Sequence, residues 1–201
     1  TVNLTYSGTA TDGTDYTGVA TVTIPAGASG VSFNIATIDD ALAEGAESFT
    51  VALQSATGGN FENLALSGSA GGVTTTLLDN DGTPSIVVAD TAVVEGGFAV
   101  FTVSLSNASA TATTFNPTLA SGTATVGTDT ATALEWFDGA AWQSVTGAGV
   151  IIPAGALAVQ VRVATTDDAL ADSGETFTLT ASVTAGTTAN ASATGTATIS
   201  D

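Results

Sequence analysis

The 201-residue chain contains no cysteine and no histidine. It therefore cannot form disulfides, use thiol or imidazole catalysis, or build the zinc sites that depend on thiolate and imidazole ligands. Serine and threonine are plentiful, but neither histidine nor lysine is present to activate a hydroxyl as a nucleophile. We therefore do not expect an enzyme.

Positive charge is almost absent as well. Arg162 is the single basic side chain against 19 acidic residues, which gives a formal net charge of −18. Such a surface repels phosphate backbones and anionic membranes, so a nucleic-acid partner is not expected. No apolar run approaches the roughly 18 residues of a membrane span, so membrane insertion is not expected either. The excess charge fits either a solubilising surface in a salty medium or the binding of a divalent metal.

One acidic passage occurs twice. Residues 24–58 and 152–186 align without a gap at a constant offset of 128, residue 152 matching residue 24. Each copy carries the letters DDALA followed by further acids. A repeat of this kind indicates a modular chain, and the linker-like letters DNDGTP at 79–84 predict domains at 1–81 and 82–201.

Hydrophobic residues alternate with polar ones along most of the chain. The alternation is clear in Val31–Ile35, in Val159–Val163 and from Phe101 to Leu105, and each such segment buries one side of a strand. No stretch sustains a helical period. Turn residues separate these segments at the intervals of a sandwich, so the sequence predicts an all-β protein.

The first domain is shorter than the second. The letters SGTATDGTD at 7–15 match SGTATVGTD at 121–129, so Thr1 corresponds to about residue 114 and domain one lacks roughly its first 30 residues. With no signal-peptide pattern at Thr1, we expect a mature chain or an excerpt of a longer array. The alternative is that another chain supplies the missing strands by β-augmentation.

Domain two carries an insertion of 14 residues, near 134–146. It has the pattern of a hairpin, with Asp138-Gly139 as the turn and Trp136 and Trp142 on the two arms. The tryptophans could stack on a sugar, but cross-strand packing explains them more simply. Arg162 is expected to point outward, beside a neighbouring carboxylate.

Acidic residues recur in matching order on several turns of both domains. Ca²⁺ takes six to eight hard oxygens, more than one DDALA turn can supply, so acids from other loops at the same end must contribute. The other interpretation is that these acids form Asx-turns and solvated loops. The candidate ligands are Asp15, Asp39, Asp40, Glu44, Glu47, Asp79 and Asp81 in the first set, and Glu95, Asp129, Asp167, Asp168, Asp172, Glu175 and Asp201 in the second.

The order of these motifs, EG, GTD, IPAG, DDxxxE/DxxE and DND, resembles that of Calx-beta domains. The passage VTGAGVIIPAGALAVQVRVATTDDALADSGETFTLT, with the WFDGAAWQSV hairpin before it, is similar to tandem domains of giant calcium-dependent bacterial adhesins of the RTX type. The resemblance covers essentially the whole chain. It implies tandem immunoglobulin-like, antiparallel Greek-key β-sandwiches that bind Ca²⁺ at their distal loops.

The resemblance also implies that the first set of acids holds ions between the two domains and that the second set is its equivalent. Three departures from the family pattern leave both sets of metal ligands incomplete. Domain one has no EG glutamate, domain two stops before a full DND, and the aromatic after GTD survives as Tyr16 but is Thr130 in the second copy.

We therefore expect a calcium-binding structural repeat from a long extracellular protein of the bacterial cell surface, acting as a stalk in adhesion. Its partners would be neighbouring repeats of the same protein. One alternative is a building block of a filament or surface layer, joined to other copies of the chain by strand exchange. Another is a carbohydrate-binding module that uses the tryptophan hairpin.

Overall fold

The computed structural model describes residues 1–61, 63–66, 72–171 and 173–201. These residues form strands and loops, with no helix among them, so the all-β prediction is confirmed. It follows that the described part of the chain contains no helix long and apolar enough to cross a membrane. The chain divides into two compact units: unit 1 is Thr1–Asp40 with Glu44–Asn80, and unit 2 is Ala41–Ala43 with Asp81–Asp201.

Unit 1 is built around one antiparallel sheet, in the order β3-β1-β6-β7, and a short β2-β4 pair. Strand β1 runs against β6 from Val2 opposite Ala56 to Gly8 opposite Phe49. The small core lies where the Tyr16 ring stacks on Phe49, with centroids 4.3 Å apart. The strands up to residue 80 are β1 (Val2–Gly8), β2 (Tyr16–Thr17), β3 (Thr21–Val22), β4 (Ala36–Thr37), β5 (Leu42–Ala43), β6 (Glu47–Ala56) and β7 (Val73–Leu77).

The predicted strand at Val31–Ile35 is wrong. This segment has no strand assignment, and β4 begins only at Ala36. Val31 and Phe33 are 42% and 39% exposed. Its alternation is that of a half-buried strand, but a strand also needs a neighbour that accepts its backbone hydrogen bonds, and the described residues of unit 1 provide none here.

Unit 2 is a sandwich of two five-stranded sheets, β14-β13-β16-β10-β8 and β15-β12-β17-β18-β9. Phe101, Phe115 and Phe177 are fully buried between the sheets. Its strands are β8 (Ile86–Val88), β9 (Thr91–Val94), β10 (Phe98–Leu105), β11 (Ala108–Ser109), β12 (Thr113–Ser121), β13 (Glu135–Phe137), β14 (Trp142–Ser144), β15 (Val150–Ile152), β16 (Ala158–Ala164), β17 (Glu175–Ala185) and β18 (Ser192–Ser200).

The pairings within these two sheets are antiparallel except one. Strand β9 runs parallel to β18, with Ala197 opposite Thr91 and Ser200 opposite Val94. Apart from this pairing at the edge of one sheet, the sandwich is antiparallel, as expected. The parallel pairing arises because the chain passes from one sheet to the other between β8 and β9, so β9 enters the second sheet in the same direction as β18. Strand β5, counted with unit 2, also pairs in parallel, with β11.

Strands β13 and β14 form a hairpin with Asp138-Gly139 as its turn. The Asp138 carboxylate accepts the backbone amides of Ala140 and Ala141, both at 2.8 Å. These bonds and one from Gln143 hold the pKa of Asp138 below its ordinary value.

Trp142 packs within this hairpin. It lies opposite Phe137, and the guanidinium carbon of Arg162 stands 4.1 Å from the centroid of the Trp142 ring. Arg162 also contacts Phe98 and forms an ion pair of 2.7 Å with Glu135, as expected of an outward-pointing residue beside a carboxylate. One face of the Trp142 ring is therefore covered by protein, which supports the packing interpretation.

Candidate metal centre

The two GTD turns place an aspartate in the same local geometry. The Asp15 carboxylate accepts the backbone amide of Thr11, and the Asp129 carboxylate accepts that of Thr125 at 2.6 Å. The glycine of each turn has a positive φ, +90° at Gly13 and +95° at position 127, which few other residues adopt without strain. The turn thus orients the aspartate carboxylate without the help of a metal ion.

Each GTD turn is tied to the acidic loop that follows it far along the chain. The carbonyl of Asp15 accepts the amide of Ile38, and the carbonyl of Asp129 accepts the amide of Thr166, both at 2.9 Å. Ile38 and Thr166 directly precede the two Asp-Asp pairs. This backbone bond brings acids that are distant in the sequence to one end of each unit.

In unit 1, three carboxylates form a compact group. Asp15, Glu44 and Glu47 each offer an oxygen, and these oxygens all lie within 4.8 Å of one another. Asp79 joins them from the end of β7, because its carboxylate accepts the amides of Glu44 and Gly45, both at 2.8 Å. The group therefore combines the GTD turn, the acidic loop, the start of β6 and the end of β7.

The electrostatics of this group are unfavourable without a cation. Partial burial raises the pKa of Glu44, and the negative charges of Asp15, Asp40, Glu47 and Asp79 raise it further. Burial likewise raises the pKa of Glu47, followed by the charge of Asp15 and a hydrogen bond with that residue. Unit 1 contains neither lysine nor arginine, so none of its own side chains can neutralise the group.

The donor set fits a hard divalent ion. Ca²⁺ binds oxygens at about 2.3–2.6 Å, so two ligands of one ion are at most about 5 Å apart. The mutual spacing of the Asp15, Glu44 and Glu47 oxygens satisfies that limit. Burial and then the neighbouring negative charges raise the two glutamate pKa values, and a bound cation would offset those charges. These residues could therefore hold Ca²⁺ together with backbone carbonyls and water.

In unit 2, acids gather around a shallow cavity of about 280 Å³ lined by Glu95, Asp167, Asp168 and Asp201. Glu95 reaches it because its amide donates to the carbonyl of Ser200 at 2.9 Å, beside the end of β18. Asp172, the sequence counterpart of Glu44, lies outside the described residues.

Strand register shows that the two acid sets correspond. Glu47 at the start of β6 lies opposite Leu77, and Glu175 at the start of β17 lies opposite Ile199. Asp79 and Asp201 each follow two residues after those partners, so they occupy equivalent positions. The sequence alone did not fix this equivalence, because the distance between the paired strands differs in the two units.

The remaining predicted ligands are placed differently. Asp39 is exposed and outside the three-carboxylate group of unit 1. Asp81 is counted with unit 2, and neither it nor Asp129 nor Glu175 lines the cavity there.

Sequence reasoning missed the groups that hold the acids in place. They are the amides of Thr11 and Thr125, the amides of Glu44 and Gly45, and the Ser173 hydroxyl, which accepts the amide of Asp201 at 2.7 Å. The amides among them carry no side-chain signal, because every residue except proline has a backbone amide.

The fold and the site together define a class: β-sheet modules that gather carboxylates from several loops at one end. The model of the Calx-beta domain matches residues 1–82 and again residues 79–201. The chain therefore belongs to the Calx-beta domain family and contains two copies of it.

Solved structures similar to the chain include members of the same family. The apo-form Calx CBD1 domain is 17% identical, with 60% of this chain and 100% of that chain covered and a TM-score of 0.42. The CBD12 structure from CALX1.2 is 18% identical, covering 58% and 45%, with a TM-score of 0.42. Domains 4 and 5 of the S-layer protein SbsC are 12% identical, covering 77% and 65%, with a TM-score of 0.37. No curated protein matches the chain.

Proposed function

We propose that both units bind Ca²⁺ through their clustered carboxylates, and that bound calcium stabilises the chain as a structural module. The observation that carries this proposal is the group formed by Asp15, Glu44 and Glu47 within 4.8 Å. In a unit without lysine or arginine, three carboxylates this close are costly unless a cation joins them. Membership of the Calx-beta family supports the same conclusion.

We further propose that the module belongs to an extracellular protein of the bacterial cell surface and acts there as a calcium-stiffened stalk in adhesion, with neighbouring repeats as its partners. The tandem copies support a protein built of repeats that carries mechanical tension, rather than a single binding domain. Because the chain has no cysteine, disulfides cannot stabilise the module outside the cell. Calcium is available there and can take that stabilising role. This role is mechanical, and no catalytic step is assigned to the acids.

A second candidate is a building block joined to other polypeptides by strand addition, as in a filament or surface layer. One observation favours it: large apolar side chains of unit 1 are exposed, among them Val31, Phe33 and Val73.

Thermal unfolding tests calcium binding in each unit separately. Both tyrosines, Tyr6 and Tyr16, lie in unit 1, and both tryptophans lie in unit 2, so near-ultraviolet tyrosine and tryptophan signals report on different units. Calcium at ten times its dissociation constant adds about 1.4 kcal/mol per site. For units of this size, this predicts melting temperatures on the order of 5–10 °C higher in millimolar Ca²⁺ than in EDTA.

Matched variants show which carboxylates cause the rise in melting temperature. Glu44→Gln is expected to remove most of the calcium-dependent rise in the melting temperature that the tyrosines report. The rise that the tryptophans report should remain. Asp138→Asn changes an acid outside both clusters and should leave both gains intact. Equal melting temperatures of the unsubstituted chain in EDTA and in Ca²⁺ would refute calcium binding.

A further inference from the structure

The hairpin inserted in unit 2 forms one wall of an open cleft of about 640 Å³. Strand β13 of this hairpin pairs with β16 only where Glu135 lies opposite Arg162 and Trp136 lies opposite Val161. Beyond Trp136 the hairpin separates from β16, and residues 137–139 and 158–160 line the cleft on either side of this separation. Insertions held by a rigid scaffold often carry a binding function.

The walls of the cleft are mainly apolar and include two aromatic rings. Trp136 packs against the core of unit 2 and also lines the cleft, so its indole is held in place. Phe137 lines the cleft as well, and its ring contacts that of Trp142 with centroids 5.4 Å apart. Ile151 and Pro153 add aliphatic surface. Rings that are already fixed bind a ligand with little further loss of conformational entropy.

Two polar side chains with unused hydrogen-bonding capacity line the same cleft. Thr102 lies opposite Gln160 in the pairing of β10 with β16, so both side chains are on one face of the sheet. Within the described part of the chain, neither side chain has a hydrogen-bond partner. Asp138 also lines the cleft, but its carboxylate already accepts hydrogen bonds from three residues of the hairpin. Thr102 and Gln160 are therefore the groups that can serve a ligand.

We propose that this cleft binds a neutral oligosaccharide of hexopyranose units. One face of such a sugar ring consists of C–H groups and packs on aromatic rings such as those of Trp136 and Phe137. Sugar hydroxyls both donate and accept hydrogen bonds, as do the Gln160 amide and the Thr102 hydroxyl. Mainly apolar walls with a few polar groups that fix orientation are the usual form of a small-molecule site.

The charge of the cleft favours a neutral sugar over an acidic one. Asp138 is the single charged residue among its lining residues, and no cation lines the cleft in the described part of the chain. The chain as a whole carries a formal net charge of −18. An acidic sugar would therefore be repelled, with no lysine or arginine in the lining to pair with it.

A peptide strand is a poorer occupant of the cleft. Strand addition obtains its affinity from a row of main-chain hydrogen bonds along an open edge. Next to the cleft, the part of β16 that β13 leaves unpaired comprises only residues 158–160. An edge of three residues is too short for such a row, whereas a sugar uses the aromatic walls.

Calorimetric titration of the full chain with oligosaccharides in millimolar Ca²⁺ tests the proposal. The neutral probes are cellohexaose, maltohexaose, mannohexaose and N-acetylchitohexaose, and hexagalacturonic acid is the acidic comparison. We expect saturable binding of at least one neutral probe and weaker binding of the acidic one. Gln160→Ala should weaken the binding about fivefold, as expected for one lost hydrogen bond. Gln54→Ala, at an exposed strand glutamine of unit 1, should leave it unchanged.

A second readout reports on the aromatic wall. In the Trp142→Phe variant, Trp136 is the single tryptophan of the chain. Trp142 is not among the residues that line the cleft, so its replacement leaves the lining intact. A bound sugar should shield Trp136, and acrylamide should therefore quench its fluorescence less as the cleft fills.

Each of the following results would overturn the proposal. One is the absence of saturable binding of every neutral probe to a chain that circular dichroism shows to be folded. Another is binding that Gln160→Ala and Gln54→Ala affect equally, or that leaves the quenching of Trp136 unchanged at saturation. Binding that EDTA abolishes in a folded chain would place the sugar on the acidic loops instead. Tighter binding of hexagalacturonic acid, or of a peptide of alternating valine and threonine, would show that the cleft takes another class of ligand.

Discussion

Glu44 and Glu47 lie beside Asp15 in a unit that contains neither lysine nor arginine. Burial and neighbouring charges raise the pKa of both glutamates above the ordinary value of 4.5. A raised pKa in the folded state means that the folded chain binds protons at a pH where the unfolded chain has lost them. The free energy of unfolding therefore falls as the pH rises from the ordinary value through the raised one.

This predicts how unit 1 responds to acid without calcium. In EDTA, lowering the pH from neutral towards the ordinary glutamate value of 4.5 should raise the melting temperature reported by the tyrosines. Glu44→Gln with Glu47→Gln should raise that temperature at pH 7 and flatten its dependence on pH, because the repulsion is then absent at every pH. In millimolar Ca²⁺ the slope should reverse, since protons then compete with the metal.

The same measurements can also contradict the role of Glu44 and Glu47. A melting temperature that falls on mild acidification in EDTA, or a pH dependence that the double glutamine variant leaves unchanged, would show that these two glutamates are not the repelling pair. Circular dichroism measures these melting temperatures. The ionic strength must be matched between samples, because salt alone also screens the charges.

At the scale of residues, the sequence predicts which acids belong together better than it predicts how they are held. Asp15, Glu44, Glu47 and Asp79 belong to the first predicted set of seven acids. The structure groups the oxygens of Asp15, Glu44 and Glu47 within 4.8 Å and places the Asp79 carboxylate on the amide of Glu44. The amides of Thr11 and Gly45 that orient the carboxylates carry no side-chain signal, because every residue except proline has a backbone amide. The hydrogen bonds that build the cluster could therefore be read only from the folded chain.

At the scale of elements, alternation predicted the face of a strand but not whether the strand forms. The pattern at Val159–Val163 gives part of β16, because β10 and β13 pair with its two edges. The same pattern at Val31–Ile35 gives no strand. The missing information is the neighbouring strand, which a local pattern does not contain. The parallel pairing of β9 with β18 has the same origin, since it depends on where the chain changes sheets.

A glycine of the repeated SGTAT motif lies where the chain passes closely over the start of β17. A Cβ added to Gly122 would lie 2.4 Å from the carbonyl oxygen of Thr176, closer than atoms can pack. Gly122→Ala should therefore destabilise unit 2 by about 1–3 kcal/mol, the usual cost of overpacking. Tryptophan fluorescence during urea unfolding measures this change, because both tryptophans lie in unit 2.

Gly147→Ala is the matched control. An added Cβ at Gly147 meets no heavy atom within 4 Å, and its φ is not positive. It should change the free energy of unfolding by at most about 0.5 kcal/mol. Equal effects of the two substitutions would contradict the close approach of Gly122 to β17.

At the scale of the whole molecule, the two units repeat the same arrangement of turns and acidic loops. Both units tie a GTD turn to an acidic loop through the same backbone hydrogen bond, and both place an aspartate two residues beyond the partner of the glutamate that starts a long strand. Modularity was accessible from the repeat, the β-class from the alternation of polar and apolar residues, and the family from the order of the motifs. The repeat also shows a difference between the units, because Val161 of β16 is fully buried whereas its counterpart Phe33 is 39% exposed.

The central claim is that these carboxylates bind calcium, and calorimetric titration of Ca²⁺ into the metal-free full chain tests it most directly. The account predicts saturable binding with a dissociation constant of about 10⁻⁴–10⁻³ M, typical of extracellular modules. It also predicts that Glu44→Gln lowers the number of sites or their affinity, while Asp138→Asn has no effect. Heats that do not saturate, or that respond equally to both substitutions, would mean that Ca²⁺ only condenses on an acidic surface and would contradict the account.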